Sequence, residues 1–221
     1  MSENNGIAVH IFRGTLKNTL EESYPMHNAF SAGGAGSAME IARSLGDLSH
    51  NAYTSASGVN PTEVLLLDYW ADPTGMLKFF SDTNVQEAGA RLCSSYDETA
   101  WLPAPGAFTL HLPAITGKPA RYVAMVRAPV RSAEDAIAEF ARFVSKNVGA
   151  GRRRGQSSHG LFIRLAAPTE PVEILGIDFW STLEGLREHY GDAAAWHRFG
   201  NSFAGLQTDS VWEQASGFVE W

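Results

Sequence analysis

A single cysteine, Cys93, excludes an internal disulfide and any zinc cluster built on thiolates. It sits in a helical pattern among Ala90, Leu92 and Tyr96 and reads as a small buried hydrophobe. There is no apolar run of about 18 residues and no basic-then-apolar amino terminus, so a soluble, cytoplasmic protein without a membrane span is expected. Basic residues are few. Lys and Arg number 17 against 24 Asp and Glu, the net charge is -7, and no helical segment carries a basic stripe. Phosphate neutralisation supplies most of the affinity for nucleic acid, which is therefore not an expected partner. The one basic run, Arg152-Arg153-Arg154, is flanked by glycines and reads as an exposed connecting loop. Metal motifs are lacking as well: there is no H-x-H and no H-E-x-x-H, and His189 with His197 do not make a metal site. Gly33-Gly-Ala-Gly-Ser37 lacks the Lys of a phosphate loop and reads as a hinge before a helix.

What the chain does contain, it contains twice. Glu63-Val-Leu-Leu-Leu-Asp68-Tyr-Trp70 returns as Glu173-Ile-Leu-Gly-Ile-Asp178-Phe-Trp180, and the spacing holds without a gap to Phe108/Phe218. Upstream, Ser49-His50 answers Ser158-His159 and Arg13 answers Arg127. Solenoid repeats run roughly 20–50 residues, so a period this long marks a duplicated domain.

Each copy reads as strand, helix, strand, strand, helix, strand. In the first the order is Ile7–Arg13, Ala35–Leu48, His50–Ser55, Glu63–Ala71, a helix opened by Asp72-Pro73, and a closing strand Ala107–Leu112. In the second it is Arg121–Arg127, Ala133–Val148, His159–Ala166, Val172–Trp180, Thr182–Gly191 with a further helical stretch, and Gly217–Trp221. The order βαββαβ is the ferredoxin-like unit, an antiparallel sheet with helices on one face. The fold expected is α+β: two such halves, 1–115 and 119–221, joined at Ile115–Pro119 and closing into one barrel. In both third strands one row is wholly apolar (Leu65, Leu67, Tyr69; Leu175, Ile177, Phe179) and suits the helices. The other row carries Asp68/Trp70 and Asp178/Trp180, and is expected where the two sheets meet.

The string Asp178-Phe-Trp-Ser-Thr-Leu-Glu-Gly-Leu-Arg-Glu-His189-Tyr-Gly-Asp-Ala-Ala-Ala-Trp196-His197, with its counterpart from Asp68, resembles the dimeric α+β barrel superfamily. Within it, the antibiotic-biosynthesis-monooxygenase-like group is the most similar branch. Members usually build the barrel from two chains; the resemblance implies both halves in this one, and leaves a homodimer open. The superfamily includes cofactor-free monooxygenases, haem-degrading enzymes, isomerases, dehydratases and proteins with no known reaction. Two departures stand out. Glu87 occupies the place of His197, and the first copy carries a longer segment, Gly14–Gly34, containing Tyr24-Pro-Met-His27.

Asp68 and Asp178 are candidate acids or bases, because a carboxylate on an interior row is costly unless paired or protonated. A structural tie at a strand end is the competing reading. His10 and Phe12 share the interior row of the first strand. His10 has Ala124 as its counterpart and His111 has Trp221, so both break the symmetry as an active site in one half would. With Asp68 they form a candidate catalytic set. Trp70, Trp180, Phe12, Tyr24, His27, His50 and His159 are the candidate substrate-binding residues; packing or backbone bonding would account for them otherwise. Three functions stay open: a cofactor-independent monooxygenase acting by proton abstraction on a planar aromatic or polyketide-like substrate, a haem-binding or haem-modifying protein, and a non-catalytic binding or assembly module. The expected partner is a small hydrophobic or aromatic molecule, and no cofactor is expected unless haem.

Overall fold

Each half of the chain is built on a strand trio whose central member pairs antiparallel on both sides. The computed structural model describes residues 7–56, 62–107, 120–191 and 203–221. Among them are eight strands and six helices. One compact unit runs to Ala100 and includes Trp212–Trp221; the other is Trp101–Val211.

The first unit comprises β1 (Ala8–Leu16), α1 (Leu20–Ala32), α2 (Ala38–Ser44), β2 (Asp47–Ser55), β3 (Glu63–Trp70), α3 (Pro73–Phe80), α4 (Thr83–Leu92) and most of β4 (Cys93–Pro103). Its strand order is β4-β1-β3-β2-β8, where β8 is Thr208–Gln214. The second unit has β5 (Tyr122–Pro129), α5 (Ala133–Arg153), β6 (Gln156–Arg164), β7 (Glu173–Trp180) and α6 (Leu183–Tyr190), in the order β8-β5-β7-β6-β4. β4 and β8 are common to both orders, which is the strand order of a closed antiparallel barrel.

Local chemistry explains the helix starts. Asp72 caps α3, accepting from the N–H groups of Thr74 and Gly75 at 2.9 and 3.3 Å, with Pro73 at the first helical position. Thr19 and Glu22 form a reciprocal capping box on α1. Arg13 pairs with Glu63 at 3.2 Å and Arg127 with Glu173 at 2.9 Å, both tying the first strand of a trio to the third.

Five sequence expectations are corrected. The Gly14–Gly34 segment, expected as a longer connection between strand and helix, holds the end of β1 and the 13-residue α1. Its buried face is Ser23, His27 and Ser31, a polar stripe that hydrophobic periodicity passes over. Strands are found at Cys93–Pro103 and Thr208–Gln214, the latter earlier than the expected Gly217–Trp221; beyond Ala107, the expected strand Ala107–Leu112 lies outside the described residues. Cys93 begins β4 rather than continuing a helix, though it is buried; Gly217–Trp221 forms no strand. Arg152 and Arg153 close α5, where cations suit the negative end of the helix dipole, and are not a loop. Most consequential, the alternation of β3 and β7 is real but the faces are exchanged. Asp68/Trp70 and Asp178/Trp180, with His10 and Phe12, lie on the row beneath the helices, as Trp70 against Phe79 and Phe80 of α3 demonstrates. Leu65, Leu67 and Tyr69 take the opposite face and are fully buried.

Candidate functional site

Register brings three ionisable side chains into one line. His10 on β1 and His50 on β2 are both paired across the ladder with Asp68 on β3. All three are at least nine-tenths buried. His50 Nδ1 makes a short hydrogen bond to Asp68 Oδ1, and His10 Nδ1 stands 3.6 Å from Oδ2 without a hydrogen-bond partner among the described residues. Burial pushes the Asp68 carboxyl up, but the two histidines together outweigh it and hold it at about 2. Burial alone would lower His50; the Asp68 charge and hydrogen bond reverse this and raise it. Both shifts favour the charged pairing of carboxylate with imidazolium.

A second tier of polar groups reaches this line from α1. His27 Nε2 is 3.1 Å from His50 Nε2 and 3.3 Å from Ser31 Oγ, while His27 Nδ1 is 3.2 Å from Asn28 Oδ1. Burial, and then the charge on His50, lower His27 to about 4, so it is uncharged at neutral pH. From the other side the Trp221 ring stacks on His50 at 4.3 Å, and its indole N–H donates to Asp47. Burial and the neighbouring Asp68 charge raise Asp47 to about 7.

These groups floor a cavity that is partly continuous with solvent. Its walls are apolar and aromatic: Phe12, Phe30, Trp70, Phe79, Phe80 and Trp221. The His10 ring lies flat on Phe80, with centroids 3.3 Å apart. Asp68, His27, His50, Trp70 and Phe12 therefore share one cavity; His10 does not line it and is stacked on Phe80, which does. Tyr24 does not line it; its ring packs edge-on against Phe218 at 6.2 Å. His111 lies outside the described residues. Asp47, Trp221, Phe80 and the Ser31–Asn28 pair escaped the sequence reading. The signal that was available for Asp47 is its alignment with Gln156, two positions upstream of the recurring Ser-His.

The second unit repeats the frame and fills it. Asp178 takes a short hydrogen bond from His159, one from Gln156 Nε2 at 2.6 Å and another from the Tyr190 hydroxyl. Burial raises its carboxyl, and His159, Tyr190 and Gln156 together bring it below its ordinary value. Tyr190 stands where the first unit has Phe80, and Ala124 where it has His10. Phe140 of α5 stacks on His159 at 4.7 Å, whereas the ring stacked on His50 in the first unit is Trp221. Trp180 is fully buried against His189 and Tyr190. Little cavity remains there among Phe140, Val144, His159 and Asp178. Asp178, Trp180 and His159 thus belong to a saturated, packed site, separate from that of Asp68.

No protein-family model matches the chain, and no curated protein matches it in sequence. Solved structures do match in fold. An anthrone oxidase-like protein is similar over 100% of this chain and 95% of its own, at TM-score 0.68 and 13% identity. A Lactobacillus acidophilus protein ascribed monooxygenase function is similar over 94% and 93%, at TM-score 0.62 and 8% identity. Chlorite dismutase from Candidatus Nitrospira defluvii is similar over 96% and 92%, at TM-score 0.56 and 7% identity. At these identities the likeness carries the fold alone.

Proposed function

We propose that the first unit binds a planar, largely apolar organic molecule and removes a proton from it without a cofactor, making an electron-rich anion that reacts with dioxygen. The observation that carries this reading is the buried Asp68 carboxylate, flanked by His10 and His50 at the floor of an aromatic-walled cavity. Such walls hold a flat ring by dispersion and exclude water, and the imidazole–carboxylate line handles one proton. Dioxygen then acts as both oxidant and oxygen source. For a ring CH2, one oxygen atom becomes the product carbonyl and the other leaves as water with the two hydrogens. The names carried by two of the structural neighbours, anthrone oxidase-like and monooxygenase, support the same chemistry.

The histidines suit this role better than iron ligation. The Nε2 atoms of His27 and His50 face each other at 3.1 Å, so neither is turned out toward a ligand in the cavity. The test is oxygen uptake on adding anthrone to the purified protein. His10→Gln and Asp68→Asn should each lower turnover by about 10²–10⁴-fold, the ordinary worth of a positioned proton acceptor. Turnover unchanged in both variants would end the proton-abstraction mechanism. Anthrone that binds but consumes no oxygen would instead favour a binding module.

We also infer that the chain is an internal duplication within the monooxygenase-like branch of the dimeric α+β barrels. Support comes from the matched Arg–Glu and His–Asp pairs at corresponding strand positions. One copy kept an open cavity and the other was filled.

A further inference from the structure

A chain of hydrogen bonds runs from residues 217–219 to Asp68, and its direction is fixed from the outer end. Asn28 Oδ1 accepts the Val219 N–H at 2.7 Å, and Asn28 Nδ2 donates to the Gly217 carbonyl at 2.7 Å. Exchanging the amide's oxygen and nitrogen would set donor against donor, so its orientation is determined. His27 Nδ1 is 3.2 Å from the same Oδ1, which can only accept, so Nδ1 carries the ring proton. In an uncharged ring Nε2 is then an acceptor. His50 Nε2 faces it at 3.1 Å and must therefore carry a proton of its own. The other nitrogen of His50 faces Asp68 Oδ1, where carboxylate and imidazolium is the favoured pairing.

We propose that Asn28 is the positioning residue that divides labour at Asp68: by fixing the His27 tautomer it keeps His50 protonated and leaves His10 to act as the base. This rests on the proton-abstraction reading above. Asp68 has one negative charge and two oxygens. Oδ1 and the charge are matched by His50, while Oδ2 faces His10 Nδ1 and is free to steady a proton arriving there. The proton leaves the substrate by way of Asp68, which lines the cavity, and passes from Oδ2 to His10 Nδ1; the electron pair stays on the substrate as an anion opposite the His50 cation. The groups facing His50 are Asp68 from β3, Asp47 from its own strand, His27 from α1, and Glu220 and Trp221 from the segment after β8. Those facing His10 are Asp68, Glu98 of β4 and the Phe80 ring of α3. The second unit lacks the device. There Phe140 covers His159, whose Nε2 is buried without a hydrogen-bond partner among the described residues.

The experiment is nitrogen-15 NMR of histidine-labelled protein, which reads tautomer and protonation ring by ring without a ligand. In the unaltered protein His27 should carry its proton on Nδ1, and His50 should be doubly protonated at neutral pH. In Asn28→Leu, His27 is freed to place its proton on Nε2, and His50 should become singly protonated at neutral pH. Finding the His27 proton on Nε2 in the unaltered protein overturns the proposal, even if Asn28→Leu does not fold. So does a His50 that stays doubly protonated in a folded Asn28→Leu. With anthrone, Asn28→Leu should lose about 10²-fold in kcat with little change in KM, the loss expected of a misset proton relay. Absence of any anthrone turnover in the unaltered protein overturns the enzymatic reading, and is distinct from either tautomer result.

Discussion

At the scale of single residues, the two units differ in how they satisfy one buried carboxylate. Asp178 is saturated by a histidine, an amide and a phenol. Asp68 has His50 on one oxygen and His10 at a longer distance from the other, and a second carboxyl, Asp47, close enough to feel its charge. Asp47 therefore makes stability depend on pH in an unusual direction. Unfolded, it sheds its proton near 3.8; folded, it keeps it up to about 7. Between those values the folded chain holds the extra proton, so this group lowers stability as pH rises. His27, displaced from 6.5 to about 4, acts oppositely, its contribution being lost as pH falls through that window. Asp47→Asn removes only the first effect while leaving an acceptor for the Trp221 N–H. The variant should match the parent near pH 4 and exceed it by a few kcal/mol above pH 7 in denaturant unfolding. An advantage independent of pH would mean that Asp47 is not the titrating group.

At the scale of elements, α1 is the part the sequence concealed and the site depends on. It presents Ser23, His27 and Ser31 inward at helical spacing, so the face that matters is polar. The aromatic walls depend on a different helix. A Cβ on Gly75, in the first turn of α3, would lie 1.8 Å from the Leu45 carbonyl oxygen, and one on Gly185 of α6 would lie 1.8 Å from that of Arg154. That approach is why glycine recurs there in both copies. Gly75→Ala must lift α3, with Phe79 and Phe80, away from the turn after α2. A loss of roughly 1–3 kcal/mol or more is expected, together with weaker ligand binding. Gly149→Ala in α5, where a Cβ meets only an Arg153 nitrogen at 3.6 Å, should instead stabilise by about 0.5–1 kcal/mol. Thermal unfolding of the two variants checks both; a harmless Gly75→Ala would show that the contact is not obligatory.

At the scale of the whole molecule, the site of the first unit is finished by the far end of the chain. Asn28 binds the backbone at Gly217 and Val219, Glu220 accepts the Ala52 N–H, and Trp221 and His50 exchange backbone hydrogen bonds. Removing Ala215–Trp221 takes away the His50 stack, the Asp47 donor and both anchors of Asn28. The shortened chain should lose anthrone turnover and show altered near-ultraviolet circular dichroism. Turnover retained at the original rate would place the working site elsewhere. No helix among the described residues is long and apolar enough to cross a membrane.

The sequence by itself determined the repeat, the strand trios and the Asp-Trp row, because alternation and recurrence are properties of local chemistry. Asp72-Pro73 specified a helix start for the same reason. It did not determine which face of the sheet the row occupies, since period-two alternation distinguishes two faces without naming them. That choice is made by what covers each face, and the helices cover the row that holds Asp68. Nor did it reveal α1, whose buried stripe is polar, or the convergence of His10, His27, His50, Asp47 and Trp221. Those residues come from separate elements, and only strand register and the docking of a distant segment bring them to one carboxylate.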